Sequence, residues 1–151
     1  MKEIKGNLIT LAQQGKFHLI THGCNCFCKM SSGIAPQIKE AFPNAWEADL
    51  RTSKGDFNKL GNYSFGFWKE LTIINSYTQY NYNVTEKPLD YEALTMCMRK
   101  INHEWSGLSI GLPKIGAGLA GGDWNKIKSI IERELKDMDV TIVYLAVPFS
   151  L

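Results

Sequence analysis

Net charge is nearly absent from this chain. Lysine and arginine number 17 against 15 aspartate and glutamate, leaving +2. That is too little to hold nucleic acid by bulk electrostatics, and no basic stripe runs along the sequence. An acidic small molecule, which needs only local positive potential, stays open. Long apolar runs are missing as well: none approaches the roughly 20 residues that a membrane-spanning helix requires. The start, Met1-Lys2-Glu3-Ile4-Lys5-Gly6, has no signal-peptide core. The expectation is a cytoplasmic protein with no membrane partner, whose four cysteines are thiols rather than disulfides. Cys24, Cys26 and Cys28 alternate and would share one face if extended. Zinc sites more often use two-residue spacers or histidines at fixed offsets, so no metal is expected, and buried thiols beside a loop are the plainer reading. Repeats, low-complexity tracts and linkers are also lacking. A chain of 151 residues, 44% hydrophobic and 21% charged, reads as one soluble domain over 1–151 and as a monomer.

What is present is an alternation of strand-like and helix-like segments. Residues 2–5, 16–21, 63–68, 71–77, 108–112 and 140–147 read as strands, with a hairpin turn near Lys69-Glu70. Ile34, Ile38 and Phe42 form an i, i+4, i+8 stripe over 33–42, stopped by Pro43, and a short helix resumes over 45–50. Residues 91–105 carry Leu94, Met98, Ile101 and Trp105 on one face. Asp123 is placed as N-cap for 124–136, whose Ile127, Ile130, Ile131 and Leu135 form another. The pattern predicts an α/β layered fold with a mixed central sheet and helices on its faces. Ligands of such folds bind beyond the C-terminal strand ends.

Two loops lie at such ends. Pro113-Lys114-Ile115-Gly116-Ala117-Gly118-Leu119-Ala120-Gly121-Gly122 follows a strand and precedes a helix. Its glycines let the backbone come close to a ligand, and the turn aims N–H groups at one place, which suits a phosphate. A merely tight strand-to-helix loop is the plainer alternative. The second, His22 to Ala35, follows another strand.

With Lys5-Gly6-Asn7-Leu8 and Asn75-Ser76-Tyr77-Thr78, these loops resemble the macrodomain family, which binds ADP-ribose. They are closest to the branch that includes terminal ADP-ribose protein glycohydrolases and ADP-ribose 1″-phosphate phosphatases. The likeness runs from Gly6 to the last strand, and its most specific part is residues 113–119. It implies a three-layer α/β/α fold, ADP-ribose or a derivative as partner, and no cofactor. By position, Asn7 stands where the family holds the adenine amine with an acidic residue, with Leu8 beside it; its oxygen accepts a hydrogen bond without charge. Met30, Ser31, Ser32, Gly33 and Ile34 match the first ligand loop, which wraps the distal ribose and pyrophosphate; the two serines depart from the usual Met-Gly-Ala-Gly. Pro113, Lys114, Ile115, Gly116, Ala117, Gly118, Leu119 and Ala120 match the second, with Lys114 as readily a solvated side chain. Phe149, after Pro148, is placed to cover the adenine or to pack on the protein's own edge.

Catalysis is harder to assign. Members of this branch that remove ADP-ribose resemble one another in a lysine after the fourth strand and an aspartate at the end of the second loop. Those positions fall near Ser76, beside Tyr77, and at Ala120, which excludes that route. The remaining candidates are His22, as a proton shuttle, and Asp123, as a base for water; Asn25 is placed to bind the distal ribose. The plainer alternatives are a histidine holding loop backbone, a helix cap and a loop cap. The function expected is hydrolysis of the terminal phosphate of ADP-ribose 1″-phosphate, by water attack with loop N–H groups stabilising the charge. The alternatives are a non-catalytic ADP-ribose reader, a hydrolase acting on a macromolecule by another route, and a binder of other nucleotides or RNA ends that stacks on Tyr77, Tyr80 and Tyr82.

Overall fold

A computed structural model of the chain describes residues 1–82, 88–118 and 120–145. Its six strands are β1 (Lys2–Lys5), β2 (Leu19–Cys24), β3 (Tyr63–Trp68), β4 (Leu71–Tyr77), β5 (Ser109–Leu112) and β6 (Asp139–Tyr144). The helices are α1 (Leu8–Gln13), α2 (Ala35–Ala41), α3 (Pro43–Leu50), α4 (Tyr91–Glu104) and α5 (Trp124–Glu134). The strands form one sheet in the order β1-β6-β5-β2-β4-β3. Every neighbouring pair is parallel except the β3–β4 hairpin.

The period-2 geometry of strands sorts neighbouring apolar residues to opposite faces. Leu19, Ile74 and Ile142 pack with Leu94, Met98 and Ile101 of α4 and Ile127, Ile130 and Ile131 of α5. Ile20, Ile73 and Val143 pack on the other side with Leu8 and Ile9 of α1, Ile38 of α2, and Phe42 and Ala45 at α3. The result is a mixed sheet with helices on both faces, as the alternation predicted, in the three-layer α/β/α arrangement that the resemblance implied. Among the described residues no helix is long and apolar enough to cross a membrane.

Most elements lie within two residues of their sequence-based bounds, and three departures bear on the site. The strand predicted over 16–21 runs over Leu19–Cys24, so His22-Gly23-Cys24 belong to the sheet and not to the loop. Helix α1 is not anticipated by the pattern. Its six residues are too few to show periodicity, and its N-cap Asn7 reads as a turn residue until the side chain is seen to accept a hydrogen bond from the Thr10 N–H at 3.0 Å. The last strand ends at Tyr144; residues 146 and 147, and with them Pro148 and Phe149, lie outside the described residues.

Candidate functional site

Strands β2, β4, β5 and β6 are parallel, so their C-terminal ends open on one rim. The loops leaving them converge there around a cleft of about 580 Å³, within the usual range for small-molecule sites. From the first loop come Ser32, Gly33 and Ile34; from the second, Pro113, Lys114, Ile115, Gly116, Ala117, Gly118 and Ala120. Asn7 and Leu8, at the N-terminal end of α1, also line it. Leu119 lies outside the described residues.

The second loop is folded by its own backbone. Ala117 N–H donates to Lys114 O, Gly121 N–H to Gly118 O, and Gly122 N–H to Gly116 O at 2.8 Å. Gly116 takes φ +75°, a left-handed conformation that favours glycine. Among the described residues, the N–H groups of Gly116 and Gly118 have no partner, nor do those of Ser32, Gly33 and Ile34 in the first loop. Two sets of unpaired donors therefore border one cleft. Lys114 is exposed at the rim, its ammonium 5.0 Å from the Tyr144 ring centre and 5.6 Å from that of Trp124.

The remaining expected residues stand away from the cleft, for reasons the packing makes plain. His22 is fully buried on the α3 side of β2, with Nε2 2.8 Å from Asn75 Oδ1. The Asn75 amide nitrogen donates to Ala45 O and Ser64 Oγ, so its oxygen faces the ring and His22 Nε2 carries the proton. Burial pulls the imidazole down to about 4, the Asn75 bond resisting only in part, so the ring is neutral at physiological pH. Buried and not among the residues that line the cleft, His22 does not meet the proton-shuttle expectation. Asp123 is exposed and caps α5, its carboxylate accepting from Asn125 N–H at 3.0 Å while its own N–H donates to Tyr91 Oη. Cap geometry holds it outside the cleft, which removes it as a base.

Asn25 closes its own loop: Oδ1 accepts from Phe27 N–H at 2.9 Å, and Nδ2 donates to Lys29 O. The loop-cap alternative describes it. Met30 is buried with Cys24, Cys26 and Tyr77, and Ser31 is exposed without lining the cleft. Ser76 lies inside β4, 2.7 Å from Thr21 Oγ1, and Tyr77 Oη donates to buried Asp49 at 2.7 Å. Every residue of β4 is buried, so the strand offers nothing to a ligand until it ends. Of the three tyrosines expected to stack, Tyr77 is internal and Tyr80 packs edge-on against Phe27, ring centres 4.9 Å apart, while Tyr82 is exposed but does not line the cleft.

Sequence reasoning missed Gly23, Gln37, Gln79, Tyr144 and Leu145, which also line the cleft. Gln79, rather than Ser76, is the residue that follows β4 into the site. The correct end of β4 was visible in the sequence, and counting past a fully buried strand would have reached it. Cys28 departs from an extended backbone at φ +56°, so the three cysteines do not share a face. Burial pushes the Cys26 thiol up to about 11 and Cys24 well above the ordinary thiol range, keeping both protonated. No group of three or more histidine, cysteine, aspartate or glutamate side chains converges as a metal site among the described residues.

Replacing the cap separates its role from chemistry. Asp123→Ala is expected to cost about 1 kcal/mol, read as a melting temperature lower by about 2–4 °C; a variant melting with the wild type would contradict the cap.

A family model described as Macro domain matches residues 21–131. An uncharacterised 17.5 kDa protein from the tk–vs intergenic region of Enterobacteria phage T4 is 37% identical over 152 residues, covering 95% of each chain. A crystal structure of a protein from Bacteroides thetaiotaomicron superposes with a TM-score of 0.79 at 25% identity, over 96% of this chain and 99% of that one. The Thermosipho africanus DarTG protein, solved in complex with ADP-ribose, superposes with a TM-score of 0.73 at 14% identity; all of this chain is covered, and 43% of that one.

Proposed function

Because the chain belongs to the Macro domain family, we propose that the rim cleft binds ADP-ribose. The observation that carries the reading is the double set of unpaired N–H donors, at Ser32–Ile34 and at Gly116 and Gly118, bordering one cleft. A diphosphate presents oxygens to such donors, and charge-assisted hydrogen bonds to backbone need no cationic side chain. The cleft's other contacts are largely apolar: Leu8, Ile34, Val143 and Leu145 supply the surface that an adenine and two riboses cover. Asn7 stands at the adenine end. Its oxygen already serves the Thr10 N–H, with one lone pair left for an exocyclic amine.

Release of phosphate from ADP-ribose 1″-phosphate is the second reading, supported by the same donors, which would meet charge developing on a phosphate in flight. Against it, none of the described residues lining the cleft is an aspartate, glutamate, histidine or cysteine, so the attacking water has no base there. Binding without turnover is the function the geometry supports best.

Titration calorimetry with ADP-ribose is expected to give a saturable one-site isotherm. No heat with ADP-ribose, together with saturable binding of an unrelated nucleotide, would overturn the reading. Incubation with ADP-ribose 1″-phosphate is expected to release no phosphate above a protein-free control; release would promote the phosphatase.

A further inference from the structure

Among the described residues one buried side-chain polar atom has no hydrogen-bond partner: Thr78 Oγ1. Its buried neighbours differ in this respect. Thr21 Oγ1 bonds Ile74 O and Ser76 Oγ, and Asn75 and Tyr77 are fully engaged. Leaving a buried hydroxyl unpaired is costly enough that a single instance calls for an explanation.

Thr78 follows β4 and is held by its backbone on both sides. Its N–H donates to Cys24 O at 3.2 Å, and its carbonyl accepts from Asp90 N–H, at the cap of α4, at 2.9 Å. The side chain is thereby fixed beneath Gly23. A methyl group placed on Gly23 would lie 2.8 Å from Thr78 Oγ1 and 3.2 Å from Ile115 Cγ1, and Ile115 Cδ1 is the next nearest atom. Gly23 and Ile115 both line the cleft. No side chain at position 23 stands between the hydroxyl and the cleft floor, and the other side chain nearest that point is Ile115, itself packed in the core cluster.

We propose that Thr78 is a ligand-recognition residue, whose hydroxyl pairs with a hydroxyl of the ligand's second ribose at the cleft floor once the Ile115 side chain turns aside. The inference rests on the reading of the cleft as an ADP-ribose site. With adenine at the Asn7 end, the Gly23–Gln79 end is left for the second ribose. A site whose buried polar group is satisfied only by a ligand hydroxyl also discriminates sharply against ligands lacking it. The unpaired state of Thr78 Oγ1 in the free protein is then the ground on which selectivity is built.

The test compares Thr78→Val and Thr78→Ser by calorimetry with ADP-ribose and with ADP, which lacks the second ribose. Valine keeps the shape and removes the hydroxyl. Thr78→Val is expected to bind ADP-ribose roughly fivefold to tenfold more weakly, to bind ADP as the wild type does, and to melt no lower than the wild type. Thr78→Ser is expected to restore ADP-ribose affinity. Unchanged ADP-ribose affinity in Thr78→Val, equal weakening of both ligands, or a lowered melting temperature would each overturn the assignment. Failure of the wild type to bind ADP-ribose is a separate outcome, and removes the reading of the cleft along with it.

Discussion

Gly116→Val is expected to weaken ADP-ribose binding by roughly 30-fold to 100-fold while the protein stays folded. Two costs meet at this position. Its φ of +75° strains any residue with a Cβ, and a β-branched one most. The new Cβ would also sit 2.8 Å and 3.0 Å from the two methyl carbons of Leu89. Strain of about 1–3 kcal/mol at such a position is relieved by moving the backbone, and the backbone here is the binding surface. Gly116 O anchors the loop through the Gly122 N–H, and Gly116 N–H is one of the unpaired donors. The loss therefore falls on affinity more than on stability. Gly116→Ala carries the dihedral strain and the same Cβ approach, which the flexible end of Leu89 can relieve, but lacks valine's two further methyls; its loss is expected to be about tenfold. Calorimetry ranks the variants, and circular dichroism verifies their folding. Wild-type affinity in Gly116→Val would separate the loop from the ligand.

The layering of this fold was legible because it is written in local periods. Leu94, Met98 and Ile101 mark α4 at helical spacing, and the β3–β4 hairpin shows as two aromatic and β-branched runs around Lys69-Glu70. The glycine loop was legible for a different reason: several glycines between a strand and a capped helix have few other uses. What stayed hidden is tertiary. His22 and Gly23 have weak strand preference, yet β2 pairs with β4 through all six of its residues, and burial between neighbours decides the matter. That three-residue shift in β2 carried His22 from an imagined loop into the core, and with it went the catalytic assignment. Asp123 shows the converse. Its cap role was read correctly, and the same geometry that makes it a cap denies it the cleft. Motif position located the loops; only packing could say which side chains beside them face a ligand.

His22 has a measurable consequence of its own. Its imidazole titrates near 4 in the folded chain, against 6.5 when free of the fold, because burial disfavours the charged ring. Between those values the unfolded chain binds a proton that the folded chain refuses. Stability therefore rises with pH across this window and is lost as pH falls from 6.5 to about 4, with no further loss from this group below. The span corresponds to about 3 kcal/mol, a large share of a small domain's stability. Asp49, which burial raises above its ordinary value, acts in the opposite sense just above 3.8, and the lowered carboxyl groups of Glu3 and Glu134 lose their contribution only toward 4.5 and below. Subtraction isolates the histidine. His22→Gln keeps an amide donor for Asn75 and cannot ionise, so it is expected to lose stability at pH 7 but to show a much flatter dependence between pH 6.5 and 4.5. Urea unfolding at those pH values measures both slopes. Parallel profiles for the two proteins would mean that the ring takes up its proton without leaving the core, and that the Asn75 contact, rather than burial, governs it.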